Sequence, residues 1–309
     1  MLIKINKLQN EGKAYAIFQI INTLLMFLVI VVTLVPYLNV LAKSLNDGID
    51  SMRGGITIFP RVFSLENYKV LLDDSSLYRA FFITLAKVGC FVVGSLIVQF
   101  TAGYALSRKN LWGLKAVNLY FLIPTYIGAG IIPNYILYSN MGLLNSFWVY
   151  VFPGLWSFYN VIIIRSYMSS NIPDSLIEAA RIDGASEWTT FFRIVMPLCK
   201  PIVATIILWT AVNSWNEWTS TLYYIQNPDL HTLQYKLMQT LKESERITAL
   251  MQEALMRGED VESIASKMKV TTESMQSAQI IVVTIPIIIV YPFLQKYFVK
   301  GVTLGAVKG

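Results

Sequence analysis

Residues 213–218 read Asn-Ser-Trp-Asn-Glu-Trp, a polar run set in an otherwise apolar stretch. Polar groups inside a bilayer are costly and usually face a bundle interior or a water-filled cavity. The amides of Asn213 and Asn216 and the carboxylate of Glu217 are suitable hydrogen-bond partners for the hydroxyls of a sugar ring. The indoles of Trp215 and Trp218 suit the apolar face of a pyranose. Asn213 and Glu217, at i and i+4, share a helical face. A plainer reading places the run at the membrane–water interface, where tryptophan anchors are ordinary and a carboxylate is simply solvated. Asn134, Trp156 and Asn160 join the same candidate pathway from two other apolar stretches, against ordinary interhelical hydrogen bonding. Lys87, inside a further stretch, either lines the cavity or snorkels outward, and snorkelling is the favoured reading.

The elements that must carry these residues follow from composition. Of 309 residues 55% are hydrophobic and 14% charged, and the mean hydropathy is +0.52. A soluble domain is nearer one-quarter charged. Six apolar stretches reach spanning length, at about 17–38, 80–106, 117–138, 146–164, 202–222 and 278–298. The first follows Lys4, Lys7 and Lys13, but its apolar core is too long for a signal peptide and five more stretches follow, so no cleavage is expected. Pro124, Pro133, Pro286 and Pro292 should bend or break the third and sixth spans.

With the N-terminus inside, the short inner segments collect Arg108, Lys109, Lys115, Arg165, Arg181, Arg193, Lys200, Lys296, Lys300 and Lys308. That satisfies the positive-inside rule and makes both termini cytoplasmic. The net charge of +6 and pI of about 9.1 then reflect topology, and no nucleic-acid partner is implied. Cys90 and Cys199 are too far apart in character for a disulfide framework, and the single His231 argues against a metal site.

The inner loop before the fifth stretch is built like a lever. Asp174 or Ser175 can cap a helix, and Ser175 with Glu178 has capping-box spacing. Ala179 and Ala180 favour helix, and Gly184 suits its end. A second helix starts at Ser186 or Glu187, with Trp188, Phe191, Phe192 and Val195 on one face for burial against the spans. Pro197 and Pro201 close it. Glu178 either caps its own helix or pairs with a partner protein; both readings stand.

Glu178-Ala179-Ala180, three residues, Gly184, nine residues, Ile194, one residue and Met196-Pro197 resemble the EAA motif of permease subunits in binding-protein-dependent ABC importers. Met196 replaces the usual leucine, a volume-conserving change. The runs Gly103–Gly113, Trp215–Ile225 and Tyr291–Gly309 are similar to the carbohydrate-uptake branch, in particular the second permease of maltose-type importers and a Gram-positive oligosaccharide subgroup.

The resemblance implies an all-α integral membrane protein, a six-helix transmembrane permease of the type I ABC-importer class. One domain would cover 1–309, with a cytoplasmic N-terminus at 1–16, outer loops at 41–79 and 223–276, a coupling loop at 168–200 and a cytoplasmic tail at 299–309. Glu178, Ala179, Ala180 and Gly184 would contact the ATPase, while Ile194 and Pro197 would set the angle of the loop. It also implies a bacterial cell membrane, membrane lipid, a second and different permease, two ATP-binding subunits and an extracellular sugar-binding protein. ATP and Mg would sit on the partner ATPase, since no G-x-x-x-x-G-K-[ST] loop occurs here; the tail GVTLGAVKG has the wrong spacing. The chain would bind no cofactor itself and would not be an enzyme. Residues 223–276 contain a helical hairpin with Leu250, Met251, Ala254 and Leu255 on one side and a break near Gly258, either a docking surface for the binding protein or a cap on its own bundle. The alternatives are an importer permease for an amino acid, peptide or oxyanion and, remotely, a membrane-embedded enzyme.

Overall fold

The computed structural model describes residues 13–108, 111–257 and 271–306. Residues 1–12, Lys109, the hairpin break near Gly258 and the end of the tail lie outside the described residues, as do the side chains of Met251, Ala254 and Leu255. The chain forms two compact units, Met1–Asp73 with Thr240–Val282 and Asp74–Gln239 with Val283–Gly309. Among the described residues three helices are long and apolar enough to cross a membrane, and three bent helix pairs qualify if each counts as one span.

The first unit opens with α1 (Lys13–Ser44), whose apolar side chains are exposed along most of its length. Short helices α2 (Gly48–Met52) and α3 (Glu66–Asp73) follow. Two buried amides hold this segment. Asn46 Oδ1 accepts from the main-chain N–H groups of Arg61 and Val62 at 2.8 Å each. Asn67 Nδ2 donates to the carbonyls of Ser44 and Asn46, and its Oδ1 accepts from Ser274 Oγ at 2.8 Å. Each satisfies main-chain groups that a loop would otherwise bury unpaired.

In the second unit α4 (Ser75–Ser107) starts where Asp74 caps Ser76 N. Its 33 residues give a rod of roughly 50 Å, ample for a bilayer. The third span is divided into α5 (Leu114–Tyr126) and α6 (Ile131–Asn140), which meet at 115°. Pro124 closes α5, and Pro133 sits in the first turn of α6, where a missing N–H costs little. The prolines therefore flank the break rather than occupy it, and Gly130 turns the chain at φ 85°. Two short 3-10 turns, Phe147–Tyr150 and Phe152–Gly154, lead at 49° into α7 (Phe158–Asn171), capped by Ser157.

The loop between α7 and the fifth span comprises α8 (Asp174–Ile182), α9 (Glu187–Thr190), a π turn Phe191–Val195 and α10 (Met196–Leu198). Its second part, Glu187–Leu198, meets the fifth span, α11 (Lys200–Asn216), at 82°. The chain after α11 departs from the expected span to 222. It breaks at Glu217–Trp218 and resumes as α12 (Thr219–Tyr224), because the Glu217 carboxylate takes Ser220 N at 2.6 Å and starts a new turn. Helices α13 (Leu233–Met256) and α14 (Thr272–Ala306) complete the described chain, and α14 runs through Pro286 and Pro292 as one continuous helix, so of the expected bend or break the break does not occur.

Helix α4 packs against α7 and α11. The core between them joins Phe100, Ile164, Met168, Phe191, Val195, Cys199, Ile202 and Ile206, so this loop shares one core with three spans. Gly103 allows that approach: a Cβ there would stand 2.6 Å from Ile164 Cγ2.

Candidate functional site

Helix α8 is closed at its C-terminus by two reverse bonds, Gly184 N to Arg181 O at 3.1 Å and Ala185 N to Ala180 O at 2.9 Å. This is the pattern of a Schellman turn, which requires positive φ at its glycine, and Gly184 has φ 77°. At the other end the expected Ser175–Glu178 capping box does not form. Pro173 is the N-cap and its carbonyl takes Leu176 N at 3.1 Å, so Ser175 already lies inside the first turn. Glu178, Ala179 and Gly184 are exposed, while Ala180 is buried.

Ser186 caps α9 by accepting from Thr189 N at 3.2 Å. Glu187 then gathers three partners. Its Oε1 takes Arg181 Nη2 at 2.8 Å, and its Oε2 takes the Tyr104 hydroxyl at 2.8 Å and Arg108 Nη2 at 3.3 Å. The Arg181 guanidinium first, and the Tyr104 hydroxyl second, hold the Glu187 carboxyl below the usual carboxylate range. The cluster ties both sides of the glycine turn to the end of α4. The expected burial of the aromatic face is only half realised. Phe191 and Val195 are buried, but Trp188 and Phe192 are 65% and 60% exposed, their rings stacked on each other at 6.0 Å. Ile194 is half-buried beside them and Pro197 exposed within α10.

The pathway candidates do not form one site. Asn160 and Asn213 line one cavity of about 520 Å³ with Gln99, Ser157, Tyr159, Trp209 and Thr210. Asn160 Nδ2 donates to Gln99 Oε1 at 3.0 Å, and Gln99 Nε2 to Leu155 O at 2.9 Å. Trp215 is buried and donates to Val283 O at 3.1 Å, and Trp156 packs its ring 4.5 Å from Phe121, outside that cavity lining. Asn134 is half-buried in α6, Asn216 exposed and Trp218 half-buried. Glu217 pairs with Lys87 at 2.8 Å. Lys87 is 2% exposed, so it does not snorkel: the carboxylate supplies the partner inside that snorkelling would have sought outside.

Gln99 and Tyr104 were not marked in the sequence, and Glu187 was marked only as a possible helix start. Gln99 was within reach of the rule applied to Asn160, a polar side chain in an apolar helix. The roles of Tyr104 and Glu187 depend on contacts across 83 residues, which no local pattern records.

Residues 12–304 match the family described as binding-protein-dependent transport system inner membrane component. The chain belongs to that family. As a permease of this kind it is a multi-pass membrane protein that works with other subunits and a binding protein. LplC of Bacillus subtilis (strain 168) is 30% identical over 300 residues, covering 97% of this chain and 98% of that protein. The polygalacturonan/rhamnogalacturonan transport system permease protein YtcP of the same organism is 32% identical over 289 residues, covering 93% and 96%. A chain from the crystal structure of a bacterial ABC transporter involved in import of the acidic polysaccharide alginate superposes with TM-score 0.81 at 27% identity, covering 93% of this permease and 99% of that chain.

Proposed function

We propose that this permease carries a carbohydrate, an oligosaccharide foremost, through a bacterial cell membrane by alternating access driven by separate ATP-binding subunits. The observation that carries the coupling is the tie from α8, through Gly184 and Glu187, to Tyr104 and Arg108 at the end of α4. A helix pushed at Glu178 and Ala179 moves as one piece with α4, since its hinge is pinned on both sides. The cavity supports the substrate class: the amides of Asn160 and Asn213 suit hydroxyls, and the rings of Trp209 and Tyr159 suit the apolar face of a sugar. The names of the relatives point the same way.

In this reading Glu178, Ala179 and Gly184 contact the ATPase, while Ala180, buried in its own chain, seats the helix beneath them rather than touching the partner; Ile194 and Pro197 fix the loop's exit angle, and both termini are cytoplasmic. ATP and Mg belong to two partner subunits, a second and different permease completes the path, and an extracellular sugar-binding protein delivers the solute. Uptake of a panel of labelled oligosaccharides by cells lacking only this gene tests the substrate class. Loss of at least one of these uptakes, restored by the gene, is the expected result; loss of amino-acid or oxyanion uptake alone contradicts it.

A further inference from the structure

The ion pair of Lys87 and Glu217 does more than neutralise charge. Lys87 stands about three turns into α4. Its ammonium donates to Glu217 Oε2 and to the main-chain carbonyl of Glu217, both at 2.8 Å, and lies 5.0 Å from the centre of the Tyr150 ring. That carbonyl belongs to the residue that terminates α11, where helix carbonyls lack partners within the helix. The second carboxylate oxygen of Glu217 accepts from Ser220 N and from Thr219 Oγ1 at 2.7 Å. Tyr150 is itself fixed, its hydroxyl 2.9 Å from Thr221 Oγ1 and donating to Leu230 O at 2.8 Å. One buried cation thus holds the end of α11, the start of α12 and the Tyr150 turn against α4.

Charge balance alone requires only the carboxylate contact. The bond to the main-chain carbonyl fixes where along α4 the helix α11 ends. Asn213 lies one turn and Trp209 two turns before that end, and both line the cavity whose other wall carries Gln99 of α4. We propose that Lys87 is a positioning residue that sets the axial register of α11 on α4 and so aims Asn213 and Trp209 into the cavity. Without it, packed helices have discrete alternatives, such as a shift by about one turn of 5.4 Å.

The proposal rests on reading the cavity as the solute path, and the test separates the two. Vesicles from cells making the whole importer would carry Tyr159→Cys and Asn213→Cys, with Cys90→Ser and Cys199→Ala, and be treated with bismaleimidoethane. The parent and Lys87→Arg, which keeps a donor for each acceptor, should bridge. Lys87→Met and the double variant Lys87→Met with Glu217→Gln should lose bridging at least about fivefold. The double variant holds no unpaired buried charge and should reach the membrane at parental level. Undiminished bridging in it would overturn the proposal. Absence of both methionine variants from the membrane would overturn it too, since the pair would then be needed for folding. A wrong path assignment would instead leave bridging as stated while Asn213→Ala transports normally.

Discussion

The Tyr104 hydroxyl lies 2.8 Å from Glu187 Oε2 and joins the last turn of α4 to the helix that follows Gly184. The same carboxylate pairs with Arg181, on the near side of the glycine. Glu187 is therefore the point where the loop holding α8 and α9 grips a span, the grip that the proposed coupling requires. Tyr104→Phe should lower uptake per ATP hydrolysed modestly, and Glu187→Gln several-fold, both at unchanged membrane abundance. Paired assays of hydrolysis and uptake in proteoliposomes check this.

The Glu187 link also has a defined pH range. Its carboxyl is held below the ordinary value by Arg181 and then Tyr104. Its contribution is complete above the unfolded value of about 4.3 and is lost as pH falls through the lower folded value. Coupling should therefore hold steady between pH ~8 and ~5. A titration of the uptake-to-hydrolysis ratio measures it, and a decline in the Glu187-dependent part centred above the ordinary carboxylate range would contradict the assignment.

Gly184→Pro should uncouple the permease. Proline fixes φ near −65°, whereas this position needs 77°. The reverse bonds closing α8 would be lost, leaving insertion intact and uptake at a small fraction of the parent while ATP hydrolysis continues. Gly184→Ala, strained by about 1–2 kcal/mol, should fall between the two.

Gly103→Val should destabilise the second unit by about 1–3 kcal/mol, the usual range for overpacking. The new Cβ meets Ile164, which is itself fully buried. Gly89→Ala in the same helix has open space and serves as control, with a gain of up to about 1 kcal/mol. Thermal melting of the purified permease distinguishes them.

Cys199 should resist alkylation until the protein unfolds. It has no exposed surface, and burial pushes its thiol up to about 12. In a Cys90→Ser background, maleimide should label native vesicles negligibly and detergent-denatured chain fully.

The spans, the glycine turn and the lever-like loop were legible because each depends on local pattern: apolar run length, or one residue type at a helix end. The packing of α4 was not legible. Lys87 and Glu217 are 130 residues apart, and nothing in either segment marks the other. Lys87 looked like a snorkelling side chain because that is the cheapest solution for a lysine without a known partner. The break after Asn216 was hidden for a related reason: the polar run at 213–218 was marked, but inside one span to 222, and only the carboxylate's reach to Ser220 N ends the helix there. Ser175–Glu178 shows the opposite failure, a correct local motif displaced by Pro173, whose backbone closes the first turn ahead of it.

The central claim is that α8 docks against a nucleotide-binding subunit. A photoreactive amino acid at Ala179, an exposed position, in vesicles holding the complete importer tests it most directly. The account predicts a single protein adduct containing the ATP-binding subunit, lost in Gly184→Pro. Crosslinks to lipid alone, or none to any nucleotide-binding protein, would contradict it.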